Sequence, residues 1–518
     1  MANRDTASAR TYHDGTKHSY QSVRSDPHSL DWANQPRPFK IYPGLEPIPL
    51  PRAPRTGLSA LAAIAAGPQP EQPRAVAIDD VAALFYYSAG LTRRRKYPAG
   101  ELAFRAAACT GALYEIELYA VCGDLPGLAA GVYLYSPADH SLRSLRGGDF
   151  RGALVRAAAG ERAVAHAPVT FVSTGTYWRN AWKYRARTYR HFGWDNGTMF
   201  ANLLAVAAAR DLPARIVSGF LDAQVNRLLG LDTAREVALH LVPVGWLKEP
   251  VAEDAGDPPP LELETLPYSR HEVDYPAMRA MHESSTLAEP DEVAAWRGAA
   301  APLRALPEPA GAVIPLEPPP LDRLPPDSVE DVIARRGSSR AFRRESIPLE
   351  ALSAALVRAT RGIPADFLAP GAQLNDLYVI VHAVDGIPPG AYVFHRDPPG
   401  LETLRTGDFR REAGFLGLEQ ALPADCSAAV FFLADLDAVL ERFGNRGYRA
   451  VQLEAGIIGG RLYLSQYAHR LGATGLTFYD DEVTRFFSPH AEGSSRGASK
   501  SAIFLVALGR TAKMIQGW

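Results

Sequence analysis

The sequence predicts an α+β protein built as two similar domains in one chain, packed against each other as a pseudo-dimer. Three observations predict it. The chain has 518 residues, which argues for more than one domain at about 150 residues each. Two regions of mixed helix and strand pattern are separated by a proline-rich stretch. The second region also repeats the first at one offset. Residues 131–135 (GVYLY) recur as 390–394 (GAYVF), 148–150 (GDF) as 407–409, Tyr189-Arg190 as Tyr448-Arg449, and 195–197 (DNG) as 454–456 (EAG), each 259 residues on. A constant offset marks an internal repeat. Two such copies are expected to pack like the isologous homodimer from which they derive, with a site at the seam, where pockets are common.

Taken in order, residues 1–56 read as an N-terminal extended arm, because Pro36, Pro38, Pro43, Pro47 and Pro49 forbid a long helix. His13, His18 and His28 show no recurring ligand spacing and read as surface or capping residues. Residues 57–250 form the first domain. Helical periodicity runs from Ile78 to Ala89 and from Thr198 to Ala209, and strands are expected at 117–121, 131–135 and 238–245. Residues 251–326, bracketed by Pro258–Pro260 and Pro318–Pro320, read as a linker or wrapping segment with a short helix near Asp291–Gly298. Residues 327–518 form the second domain. There Gly456, Gly459 and Gly460 fall within a helix and read as close-packing positions rather than a dinucleotide loop.

Composition narrows the function classes. Apolar content of 47% and charged content of 22% are those of an ordinary soluble protein. A net charge of −2 offers no field to attract nucleic acid or an anionic membrane. Three cysteines (Cys109, Cys122, Cys426) suggest neither a disulfide framework nor a metal site. No apolar run approaches the roughly 20 residues of a membrane span, and residues 1–40 lack the apolar core of a secretory signal. The cytoplasm is the expected location.

The most distinctive stretch is residues 335–340 (RRGSSR), after a helix with a Ser start and acidic first turn at 328–334. Arg335, Arg336, Ser338, Ser339 and Arg340 could cradle a phosphate, since guanidinium binds it bidentately and hydroxyls add neutral donors. A solvated helix end pairing with surface acids is the alternative. The two copies differ here. Aligning Gly90 with Gly362 places the apolar residues 63–68 opposite the cluster. Arg93, Arg94 and Arg95 are a candidate substitute in the first copy. Lys183-Tyr184 stands where the second copy has Arg442-Phe443, and residues 109–115 (CTGALYE) stand near 370–374 (PGAQL).

These residues resemble a known family. Residues 12–18 (YHDGTKH), 109–114 (CTGALY), 182–185 (WKYR), 189–191 (YRH) and 335–340 are similar to the nitroreductase-fold SagB/ThcOx-type flavin dehydrogenases, in tandem form. The resemblance implies FMN at the seam, with its phosphate on Arg335, Arg336, Ser338, Ser339 and Arg340, joined by Arg510. It implies that Thr110, Gly111, Ala112 and Leu113 of the opposite copy cover the isoalloxazine, and that Thr474 and Gly475 place a backbone donor near flavin N5. It also implies a catalytic Lys183 and Tyr184, and oxidation of a thiazoline or oxazoline-type ring in a peptide or natural-product intermediate. The alternatives are an NAD(P)H-dependent nitro, quinone or flavin reductase of the same fold, and a flavin-free scaffold. No metal, nucleic acid or membrane partner is expected. Biosynthetic partner enzymes and further oligomerisation stay open.

Overall fold

A computed structural model describes the chain apart from residues 1, 26–27, 53, 68, 98–99, 255, 301–305, 493–498 and 513–518; for residues 2, 97, 100 and 101 it describes the backbone only. Each half contains an antiparallel sheet with the same strand order. In the first it runs Pro47–Pro49, Ser141–Gly147, Gly131–Ser136, Ile116–Cys122, Val169–Thr176, Glu236–Val244. In the second it runs Val313–Pro315, Pro399–Thr406, Gly390–Arg396, Asp376–Val381, Ala428–Ala434, Ser501–Thr511, with Phe342–Arg343 beyond and Gly472–Leu476 also paired to the last strand. The register repeats as well: Leu118 lies opposite Ser173, and Leu377 opposite Phe432. The central strands are buried along their length, so they read as continuous apolar runs rather than an alternation.

The halves meet along two helices of 22 residues, Thr188–Ala209 and Gly447–Ala468, which begin 259 residues apart. Small residues let them approach. A Cβ added at Gly197 would lie 2.5 Å from the Gly456 backbone, and one at Gly456 would lie 2.6 Å from the Trp194 carbonyl. Ion pairs then repeat across the seam. Asp480 of the second half takes Arg190 at 2.6 Å and Arg187 at 3.0 Å, while Asp222 of the first takes Arg446 at 2.6 Å and Arg449 at 3.0 Å. Residue i meets j and its counterpart meets i's counterpart, the signature of an isologous interface. All six side chains are buried, where breaking one partner costs about 3–5 kcal/mol.

The N-terminal arm contains a helix, Ala7–Gly15. The prolines that forbid helix begin only at Pro27, so this stretch is free to coil. Its Tyr12 stands edge-on to both Tyr189 (5.6 Å) and Tyr448 (5.8 Å), the paired residues of the repeat. His13, expected at the surface or at a cap, is instead buried with Nδ1 3.2 Å from the Tyr448 hydroxyl. The 251–326 segment wraps the molecule with two helices that open on proline, Pro276–Ser284 and Pro290–Gly298, and buries Met278, Met281 and Trp296. Pro suits a first helical position because its missing N–H would be unpaired there anyway.

Candidate functional site

In the second unit, Ser328 caps the helix Val329–Arg335 by accepting the Asp331 N–H at 3.1 Å. Beyond the helix the chain turns toward the first unit. Arg336 is buried and donates from Nε to the Ala106 carbonyl (2.9 Å), from Nη2 to Arg105 (3.1 Å) and from Nη1 to Gly337 (3.0 Å). Its partners are carbonyls, and no carboxylate among the described residues pairs with it. The Ser338 hydroxyl lies 3.2 Å from that of Tyr463, which accepts the Gly475 N–H at 2.6 Å. Thr474, beside it, is buried. Ser339 donates its N–H to the Ala473 carbonyl (2.9 Å) and its hydroxyl meets Thr511 Oγ1 at 2.8 Å. Arg340 is exposed and makes no hydrogen bond or ion pair with the described residues.

Two predicted cations turn elsewhere. Arg335 pairs with Asp327 at 2.5 Å and donates to the Tyr467 carbonyl at 2.8 Å. Arg510 donates to the Ser346 carbonyl at 2.9 Å and sits 3.8 Å from Glu345. Successive strand side chains point to opposite faces, so with Thr511 on Ser339, Arg510 faces away.

The first unit supplies the facing wall. Thr110 opens a turn by donating its N–H and hydroxyl to Asp195, each at 2.9 Å. Gly111 (φ +66°), Ala112 (+54°) and Tyr114 (+53°) are all left-handed, a costly run for non-glycine residues and one that clusters at functional sites. The Tyr184 ring lies on this turn: a Cβ at Gly111 would be 2.9 Å from its hydroxyl and 3.3 Å from Leu113 Cδ1. Lys183 and Tyr184 are the last residues of the helix Tyr177–Tyr184, which Arg185 ends at φ +51°. Lys183 Nζ lies 5.2 Å from the Tyr184 ring centroid.

Burial lowers the Lys183 pKa, and the Arg340 charge lowers it further. Burial raises that of Tyr184, with Asp195, Cys109 and Glu115 adding to the rise and Arg340 opposing it. The neighbouring basic run is not what acts on Lys183. Arg187 and Arg190 are neutralised by Asp480, and Arg179 pairs with Glu117 at 2.6 Å. The active cation comes from the other unit. Arg93, of the candidate substitute cluster, belongs to this same seam: it is half-buried, its pKa is lowered by burial and then by Arg336, and its Nε is buried without a partner.

The structure thus brings Arg93, residues 105–114, Lys183 and Tyr184 of one unit against Arg336, Ser338, Ser339 and Arg340 of the other. Sequence reasoning missed Tyr463 and Thr511, which are ordinary residues of a helix and a strand until the fold closes. It also missed Glu115 and Asn180, whose signal was available: their counterparts 259 residues on are Leu374 and Val439.

The symmetry-related seam is closed. Ser59 caps the helix Ala60–Ala65 as Ser328 caps its counterpart, and the two serines pair. That alignment puts Ala66 and Gly67 where the other seam has Arg335 and Arg336. The void at its centre, lined by Ala63, Gly67, Ala201, Pro364 and Arg461, is about 20 Å³, room for a water; a wider cleft of about 590 Å³, lined by Ala66, Gln69, Ala208, Pro319 and Arg358, opens beside it. Asp366 accepts the N–H groups of Ser218 (2.9 Å) and Gly219 (2.7 Å), and Trp296 from the wrapping segment packs, tilted, at 5.0 Å against Phe443, the counterpart of Tyr184.

Residues 82–246 match the model of the nitroreductase family. Over those residues the first half is similar to that family. Its sheet and helix order recur in the second half, so the fold is two nitroreductase-like domains in one chain. The chain is 28% identical over 145 residues, 28% of its length and 72% of the relative's, to putative nitroreductase MJ1384 of Methanocaldococcus jannaschii. It resembles the crystal structure of a putative nitroreductase from Anabaena variabilis over 97% of this chain and 99% of that one, at TM-score 0.76 and 26% identity. A putative nitroreductase from Ralstonia eutropha matches over 43% of this chain and 100% of its own, at 19% identity and TM-score 0.32. Among the described residues no helix is long and apolar enough to cross a membrane.

Proposed function

We propose that this nitroreductase-type chain is an FMN-dependent dehydrogenase that oxidises a thiazoline or oxazoline-type ring in a peptide or related natural-product intermediate. The observation that carries the reading is the placement of Lys183 and Tyr184, at the end of one unit's helix and against the left-handed 110–114 turn, at the seam where Arg336 of the other unit reaches across to residues 105–106. FMN fits the residues present. Arg93 and Arg336 are near enough to act on each other, neither is paired with a carboxylate among the described residues, and Arg93 Nε is buried and unpartnered. A dianionic phosphate answers that donor set. Arg336, Ser338, Ser339 and Arg340 would hold it, with Gly111 and its neighbours against the ring system. Bound FMN supplies a hydride acceptor.

The protein's own residues then divide the proton chemistry. Forming an azole removes a proton from one ring carbon and a hydride from its neighbour. Lys183, with its lowered pKa, is the group that can be neutral and take the proton. Tyr184 keeps its phenol proton and donates a hydrogen bond, because burial and nearby carboxylates disfavour the phenolate. A peptide substrate and partner biosynthetic enzymes follow from the same reading.

The test is the visible spectrum and flavin content of the purified protein, then turnover with a synthetic thiazoline peptide against turnover with NADPH. About one flavin per chain and azole formation are expected. Flavin reduced by NADPH but not by the azoline would favour the nitro, quinone or flavin reductase; no flavin uptake would leave the scaffold.

A further inference from the structure

Beneath the 110–114 turn lies a buried acidic group that the proposed chemistry does not use. Cys109, Glu115 and Asp195 bring their sulfur and carboxylate oxygens within 4.8 Å of one another. The Cys109 thiol lies 3.3 Å from Asp195 Oδ2 and 3.4 Å from Glu115 Oε2, and accepts the Tyr114 N–H at 3.0 Å. Asn180 Nδ2 donates to Glu115 Oε2 at 3.3 Å, and its Oδ1 accepts from His191 Nδ1 (2.7 Å) and Thr188 Oγ1 (3.0 Å). Glu115 Oε1 and His191 Nε2 are buried without partners. The His191 ring stands edge-on to Tyr184 at 4.7 Å.

The second unit is an internal control. At the positions of Glu115, Asn180, Tyr184, Thr188 and His191 it has Leu374, Val439, Phe443, Gly447 and Ala450, all buried. Only the carboxylate that ties down the turn is kept: Glu454, at the position of Asp195, accepts the N–H groups of Leu374 (3.0 Å) and Asn375 (2.8 Å). The same fold therefore forms with apolar residues at these positions. A buried polar set costs stability relative to a well-packed apolar one, and the polar set stands only at the seam that stays cationic.

We propose that Glu115 and Asp195 share a single proton, and that this pair, braced by Asn180 and His191, is a positioning device that holds Tyr184 as a neutral hydrogen-bond donor facing the seam. Two carboxylates this close and this deep cannot both ionise, so the pair carries one proton and one charge. Burial and Glu115 both raise the Asp195 pKa. The remaining negative charge opposes a phenolate. The groups facing Tyr184 are the Asp195–Glu115 pair with the Cys109 thiol, kept neutral by burial, on one side and Arg340 and Lys183 on the other, with His191, kept neutral by burial and by Arg187, edge-on to its ring. Removing the pair's charge leaves the cations to act alone.

The inference rests on the proposed role of Tyr184, but its test reads protons rather than turnover. Infrared spectra of the flavin-loaded protein should show the carbonyl stretch of a protonated carboxyl group at neutral pH, lost in Asp195→Asn. In Glu115→Gln with Asp195→Asn, which keeps shape and an acceptor for the Thr110 N–H, the phenol signal that Tyr184→Phe abolishes should titrate about one pH unit or more lower. Glu115→Leu, the second unit's own residue, should fold with normal flavin content yet shift the pH profile of flavin reduction. Absence of the carboxyl band, a bound metal in its place, or an unmoved Tyr184 titration would overturn the proposal. If the azoline reading alone is wrong, the band and the titration shift remain.

Discussion

The two seams of this molecule share a backbone and differ in almost every functional side chain. At one, the chain leaving a Ser-capped helix carries Arg336 and Arg340, and the facing helix ends in Lys183-Tyr184. At the other, the equivalent chain carries Gly67 and Glu71, the facing helix ends in Arg442-Phe443, and Asp366 and Trp296 fill the space. In a symmetric homodimer both seams must serve the same purpose, because one sequence makes both. Fusing the copies removes that constraint. The comparison teaches that the long-helix interface, with its reciprocal Asp480 and Asp222 pairs, is what holding the units together requires. The cations, the Lys-Tyr pair and the buried carboxylate pair are what the cationic seam adds.

The largest effect should come from removing the cations of the cationic seam's second unit. Arg336→Ala with Arg340→Ala should weaken FMN binding by about 10²–10⁴, since each charge-assisted bond is worth about 1.5–3 kcal/mol. Arg361→Ala, an exposed cation beside the closed seam, should change it little; flavin fluorescence titration compares the two. Next, Asp480→Ala and Asp222→Ala should each cost about 3–5 kcal/mol of stability by leaving buried arginines unpaired. Similar losses in denaturant midpoint would support the pseudo-symmetry, and a large disparity would break it.

Lys183→Ala should slow flavin reduction by about 10²–10⁴ while bound flavin is kept. The pH dependence has a definite sign. A base must be neutral, so the rate should fall as pH drops through the lowered Lys183 pKa. Arg340→Ala, at saturating FMN, should move that limb to higher pH, because the cation that depresses Lys183 is gone. An unmoved limb would separate the two units' contributions. The smallest effect concerns the closed seam. Trp296→Ala empties space there but supplies no cation, so flavin content should stay at one per chain; a rise toward two would mean the closed seam lacks only room.

Much of this was legible in the residues. The 259-residue repeat determined two domains of one fold, and the same strand order and matching 22-residue helices follow it. The seam's asymmetry was legible too, because the two copies could be compared position by position. The short helix at Pro290–Gly298 showed in its pattern, whereas the helix Ala7–Gly15 did not, since its apolar contacts are with Tyr189 and Tyr448, far along the chain.

What tertiary structure decided is which charges meet. Six consecutive residues cannot reveal that Arg336 reaches across to the carbonyls of Arg105 and Ala106 while Arg335 turns back to Asp327. Nor can a basic run show that Arg187 and Arg190 are spent on Asp480, leaving Arg340 to act on Lys183. The repeat is a property of sequence because it is written in local order. Pairing is a property of the fold because electrostatic partners are chosen by distance in space, over separations of hundreds of residues that the chain alone does not rank.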